Sequence, residues 1–109
     1  MTALRAIGLV LLALTLAGCG AAPRPAAPAA AANDGRRLYV SSGCGRCHAL
    51  AAAGARGGSG PDFDTSERLG LGQLRAALVE GLNGMPSYAG RLTPRQLDAV
   101  AAFVYRSTR

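Results

Sequence analysis

The pentapeptide Cys44-Gly-Arg-Cys47-His48 constrains this chain more than any other stretch, because it lies in a folding unit too small to rest on side chains alone. Residues 33–109 hold seventy-seven residues, a length at which a domain commonly needs a staple, a metal or a cofactor. That unit contains no Trp, only two Phe and three Tyr, and is rich in Ala and Gly. Something besides side chains is therefore expected to fill the interior. Two cysteines with a two-residue gap admit three chemistries: a redox disulfide, part of a metal site, or a covalent cofactor anchor.

The start of the chain narrows the choice. Arg5 precedes the apolar run Ala6 to Ala17, which ends in Gly18-Cys19. Such a run is too short for a spanning helix, which needs about twenty residues. A basic start, a short apolar run and small residues at its end mark a secretory signal, here residues 1–18. An uncleaved signal anchor is the alternative. Leu16-Ala17-Gly18-Cys19 resembles the lipobox of bacterial lipoproteins, in which cleavage before the cysteine frees an amino terminus and the thiol takes a diacylglycerol. Cys19 is thus expected to carry lipid, and two or three acyl chains would give stable anchoring. The expected location is exported, lipid-anchored on the outer side of the cytoplasmic membrane or in the periplasm.

Residues 19–32 form the next segment: the lipidated Cys and an Ala/Pro-rich stretch with a single charge at Arg24. Its prolines oppose a continuous helix, so it reads as a semi-rigid tether reaching about 40 Å when extended. A helical Ala tail from Ala29 into the domain is the alternative for its last residues. The domain proper is expected over 33–109.

All twelve basic residues are Arg, against six acidic ones, for a net charge of +6 that falls to +5 once Arg5 leaves with the signal. A basic surface favours acidic partners. No basic stripe studded with aromatics is present, and nucleic-acid binding is set aside.

The domain reads as helices separated by Gly-rich segments, without strand-like alternation. A first helix is expected from Asp34 to about Ser42, with Leu38 and Tyr39 inward and Gly43 as its breaker. Residues 49–60 are too Gly-rich in their second half for a regular element. Leu71, Leu74, Leu78 and Leu82 recur at three and four, one stripe of a second helix that ends near Gly81 and Gly84. Thr93-Pro94-Arg95-Gln96 offers a capping box with proline at the first helical position. Leu97, Val100 and Val104 form the inner face of that last helix, with Ala101 beside them and Phe103 at the flank. The fold class is all-α.

The cysteine chemistry follows from what surrounds the pair. A thiol–disulfide site is usually built on a strand-to-helix unit with a low-pKa cysteine, and no sheet is expected. A closed zinc site needs four protein ligands, and with Cys19 lipidated only Cys44, Cys47 and His48 remain. The Cys-x-x-Cys-His pattern is that of covalent haem attachment. Cys44 and Cys47 then form thioethers to the two vinyl groups, and His48, the one histidine, is placed against the iron. Once Met1 is lost with the signal, Met85 is the sole methionine. It lies thirty-seven residues after His48 between Gly84 and Pro86, a rigid setting that suits the second axial thioether ligand. His/Met ligation raises the potential and favours electron transfer.

These features resemble the class I monohaem c-type cytochromes, in the small bacterial membrane-anchored lipoprotein form. The resemblance runs over Asn33 to Arg109: Gly35 with Leu38-Tyr39, CGRCH, Gly60-Pro61, Met85-Pro86 and the Leu97/Val100/Phe103/Val104 helix. It implies a cytochrome c-like fold of three to four short helices around one covalent haem c. It also implies a crossing of first and last helices at Gly35 and Tyr39 against Phe103, with Val104 or Tyr105 as alternatives. It gives Pro61 the role of accepting a hydrogen bond from the His48 ring through its carbonyl. Two departures stand out: Gly35 lies one residue further from Cys44 than is commonest, and Phe63 stands where Leu is usual.

The resulting expectation is a monomeric one-electron carrier and not an enzyme, exchanging electrons with redox proteins such as a quinol-oxidising complex and a terminal oxidase. The alternatives are a haem sensor or peroxidase-like protein in which Met85 leaves the iron, and a Cys-x-x-Cys thiol-redox lipoprotein. Asp62, Asp64 and Glu67 are expected to cap or solvate the loop before the second helix, and Arg46 to be solvated or to steer an acidic partner.

Overall fold

Helix α1 spans Pro28–Ser41 in the computed structural model, which describes Gly20 and residues 28–109. The signal-like segment, the expected lipidation site Cys19 and most of the tether lie outside the described residues. The helix begins six residues before the expected Asp34, inside the stretch read as tether, so the alternative of a helical Ala tail leading into the domain is the one that forms. The physical reason is local: Pro28 occupies the first helical position, where its missing N–H costs nothing, and four alanines follow it, the best helix formers. The chain leaves α1 through Gly43, whose φ of 78° lies in the left-handed region, a usual terminator for a helix.

Gly35 sits in the interior of α1, where glycine weakens a helix by about 1 kcal/mol relative to alanine. Its absent side chain serves the tertiary structure. A Cβ there would fall against the Ala99 carbonyl oxygen and 2.6 Å from the Phe103 Cβ. Glycine therefore lets α1 lie directly on α3, which spans Pro94–Ser107. One turn further on, the Tyr39 and Phe103 rings meet edge to face at 5.8 Å. The expected crossing forms with Phe103 as partner, despite the longer spacing from Gly35 to Cys44.

Helix α3 begins as its sequence requires. The Gln96 N–H donates to Thr93 Oγ1 (3.2 Å) and the Thr93 N–H donates to Gln96 Oε1 (2.9 Å), closing the capping box. Leu97, Val100, Ala101 and Val104 are buried, and Phe103, expected at the flank, is buried with them. Helix α2, Leu71–Glu80, packs on α3 through Leu74 and Leu78.

The four-leucine stripe is only half internal. Leu71 and Leu82 are 46% and 54% exposed. Leu71 opens the helix, and Leu82 lies beyond Gly81, where a φ of 69° turns the chain off the helical path. A second departure from expectation is a short antiparallel pair of β1 (Ala49–Leu50) and β2 (Ala55–Arg56), with Ala49 opposite Arg56. It is two residues long on each side, too short for alternation to signal it.

Gly35→Ala tests the crossing because two effects oppose in sign. Helix propensity alone would stabilise by about 1 kcal/mol, whereas forcing a methyl into a packed contact costs about 1–3 kcal/mol. The variant is expected to unfold about 5–10 °C lower in thermal denaturation; a rise in Tm would show that the helices are not held at this point.

Candidate haem site

The CGRCH segment folds as a single tight turn. The Arg46 N–H donates to the Gly43 carbonyl (3.1 Å), and the N–H groups of Cys47 (3.2 Å) and His48 (3.0 Å) both donate to the Cys44 carbonyl. In a helical turn, residues i, i+3 and i+4 share one face. Cys44, Cys47 and His48 occupy those three positions, so local backbone geometry gathers the cysteines and the histidine on one side.

The glycine-rich segment wraps this turn at backbone range. The Gly57 N–H donates to the Gly45 carbonyl (3.1 Å), and the Gly60 N–H donates to the Cys47 carbonyl (2.8 Å). A Cβ on Gly57 would lie 2.5 Å from the Cys47 carbonyl carbon, and one on Gly60 would lie 2.5 Å from His48 Cε1. Both positions need glycine because the chain passes where a side chain would stand. The β1–β2 pair closes the base of the loop. Asp64 accepts from the Ala51 N–H (2.7 Å), and Asp62 accepts from the Asp64 N–H (2.9 Å). Asp62 thus caps a backbone N–H in the loop before α2, as expected, and Asp64 reaches back from that loop to Ala51.

His48 is buried and oriented by two neighbours. Its Nδ1 lies 2.9 Å from the Pro61 carbonyl oxygen. A carbonyl only accepts, so the proton of the neutral ring sits on Nδ1 and Nε2 keeps its lone pair. The Phe63 ring stacks on the imidazole with centroids 4.6 Å apart and planes 19° from parallel. The residue that departs from the usual Leu thus contributes a flat surface that limits ring rotation.

Tyr39 ties this site to the helix crossing, which sequence reasoning did not foresee. Its hydroxyl donates to the His48 carbonyl (3.0 Å) from a ring that is 1% exposed. Burial pushes its phenol well above the ordinary range, and the nearby Cys44 and Asp64 add to the rise. The two cysteines are unbridged, Cys44 buried and Cys47 exposed. Burial also raises the Cys44 thiol, and Cys47 adds to this against a backbone hydrogen bond that lowers it.

Met85 lies in the loop after α2, half-buried and packed on the core cluster that includes Cys44. Its N–H donates to the Leu82 carbonyl (2.8 Å). Gly81 admits the returning chain: a Cβ there would lie 2.6 Å from the Met85 carbonyl oxygen and 2.9 Å from the Ser87 nitrogen. Tyr88, also missed from sequence, pins the loop. Its N–H donates to the Leu78 carbonyl (2.8 Å) on α2, and its hydroxyl lies 3.5 Å from the Ser42 carbonyl beside the CGRCH turn. Its ring is buried. The structure therefore gathers Cys44, Cys47, His48 and Pro61 directly, and joins Met85 to them through the shared core and Tyr88.

This donor set fits a covalent haem: two unbridged thiols and an imidazole on one face, the imidazole held at Nδ1 with Nε2 free of any protein hydrogen bond among the described residues. Comparison with known proteins agrees. Residues 30–104 match the family model described as Cytochrome C oxidase, cbb3-type, subunit III. The chain belongs to that family. A solved structure, the c-type cytochrome SorU from Sinorhizobium meliloti, is similar at 28% identity, covering 72% of this chain and 91% of that one with a TM-score of 0.66. No curated protein sequence matches. The protein is thus a monohaem c-type cytochrome of all-α cytochrome c fold, with covalently bound haem c and an electron-transfer role.

Tyr39→Phe tests the link between the helix crossing and the site. Leaving the buried His48 carbonyl without its donor is expected to cost the cytochrome about 1–3 kcal/mol in denaturant unfolding. The pH dependence has a definite sign. Below about pH 10 the phenol is protonated folded and unfolded; above it the unfolded chain loses a proton that the folded one keeps, so stability falls as pH rises. In the variant that alkaline slope is expected to flatten, with Tyr88, also raised chiefly by burial, supplying the remainder. An unchanged slope would mean that Tyr39 is not held protonated by the fold.

Proposed function

We propose that this cytochrome is a one-electron carrier in which Cys44 and Cys47 form the haem thioethers and His48 and Met85 are the axial ligands. Haem c bound there supplies a ferric–ferrous couple. The Nδ1 contact of His48 with the Pro61 carbonyl is the observation that carries the reading. It leaves Nε2 as the donor, prevents the ring from turning, and increases its basicity as carbonyl acceptors do for ligating imidazoles. Met85 offers a neutral, soft thioether from a loop that Gly81 and Tyr88 hold to α2. Such a ligand favours the reduced state, and two protein ligands leave no open position for oxygen chemistry.

The cellular setting belongs to the same proposal. Lipidation at Cys19 would anchor the domain outside the cytoplasmic membrane through the Ala/Pro stretch. Electrons would then pass along a respiratory chain, from a quinol-oxidising complex to a terminal oxidase. The family description, which names an oxidase subunit, supports the acceptor. The expected form is a monomer. Replacing Cys19 by Ser is expected to release the haem-loaded protein from the membrane fraction; continued membrane association would remove the lipid anchor from the reading.

Met85→Ala tests the ligand set. The mature protein is expected to keep its covalent haem in mass spectrometry, to lose the ferric sulfur-to-iron charge-transfer band, and to bind cyanide or carbon monoxide readily. Its potential is expected to drop by roughly 0.1–0.2 V, within the span that axial ligands command. A potential that stays in place would exclude Met85 as ligand.

A further inference from the structure

One short stretch of chain sets both the edge and a face of the His48 ring. Gly60 comes first, where a Cβ would lie 2.7 Å from Nδ1 and 3.1 Å from Nε2, so backbone itself borders the imidazole. Pro61 places its carbonyl oxygen 2.9 Å from Nδ1. Phe63 lays its ring on the imidazole at 4.6 Å, 19° from parallel. These contacts restrain different motions. A carbonyl accepts hydrogen bonds over a broad range of directions, so the Pro61 contact holds Nδ1 and leaves the ring able to swing about it. A flat surface against the ring opposes that swing. Phe63 is itself held. Its N–H donates to the carbonyl of Ala49 (3.0 Å), the residue next to His48, and its half-buried side chain packs on the core. The Leu that the family resemblance would place here fills space but has no flat face.

We propose that Phe63 is a positioning residue for the redox centre, its ring fixing the plane of the His48 imidazole and favouring the oxidised state of the couple. The inference rests on the reading of His48 as an iron ligand. When it ligates iron, the imidazole is more electron-poor in the ferric than in the ferrous state, because its lone pair is drawn further toward the metal. The face of a phenyl ring carries the negative part of its quadrupole and attracts an electron-poor partner. The stack is therefore stronger in the ferric state, and the difference lowers the potential that the Met85 thioether raises. The sign separates this effect from packing alone. Looser packing that admits water stabilises the more highly charged ferric form and lowers the potential. Loss of the stack raises it.

The test compares the haem-loaded cytochrome with Phe63→Leu, which keeps an apolar side chain, and with Phe63→Tyr, which keeps the flat ring. In Phe63→Leu the potential is expected to rise, so that the ferric-to-ferrous ratio at a fixed applied potential falls roughly two- to five-fold. The haem methyl resonances of its ferric form are expected to change in spacing and temperature dependence, since their spread reports the orientation of the axial imidazole plane. Phe63→Tyr is expected to keep both the potential and the methyl pattern near those of the unaltered protein. The inference is overturned if Phe63→Leu leaves the methyl pattern unchanged, if its potential holds or falls, or if Phe63→Tyr behaves as Phe63→Leu does. Paramagnetically shifted imidazole resonances of His48 in the unaltered protein check the ligand assignment separately. With those resonances present, failure in Phe63→Leu removes the role of Phe63 and leaves His48 as ligand. Their absence removes the ligand, and this inference with it.

Discussion

The hydrogen bond from Tyr39 to the His48 carbonyl joins the two halves of this small structure. The Tyr39 ring belongs to the α1–α3 crossing, where it meets Phe103, and its hydroxyl ends on the backbone of the CGRCH turn. A buried phenol and a buried carbonyl each carry a desolvation cost that the other removes. The geometry of the crossing is therefore also the geometry of the site. Gly35 makes the arrangement possible by letting the helix backbones approach, and α3 supplies the other face.

Around the CGRCH turn, backbone does what side chains do elsewhere. Gly57 and Gly60 bring N–H groups to the carbonyls of Gly45 and Cys47, and Pro61 follows with the carbonyl that holds the imidazole. Residues 57–60 look unstructured in sequence because glycine has no propensity to reveal, yet Gly57 and Gly60 are shaped by contact. The β1–β2 pair and the Asp64 contact to Ala51 hold the ends of this loop. On the other side, Tyr88 gives the Met85 loop a fixed relation to α2 and to the end of α1.

Several elements were legible locally because their physics is local. Thr93-Pro94-Arg95-Gln96 announces α3, since a cap satisfies orphan donors within four residues of itself. Gly43 announces the end of α1 for a similar reason. The leucine stripe was legible only in part. Periodicity ranks positions on an ideal helix, and it could not show that Gly81 diverts the chain before Leu82. At the start of α1 the alternative holds, an Ala tail helical into the domain, because the last of the prolines stands where proline begins a helix rather than breaking one.

The sequence by itself determined which groups the chain has to offer: two cysteines and its one histidine within CGRCH, one methionine beyond the start of the chain, a surplus of arginine and a core too poor in large side chains to close unaided. These follow from residue identity and short spacing. Only the tertiary structure decided that Tyr39 supports the His48 backbone, that Phe63 lies flat against its ring, and that Tyr88 secures the Met85 loop. Each of these joins segments whose separation along the chain carries no periodic signal, so their meeting depends on how closely the helices and the glycine loop can pack.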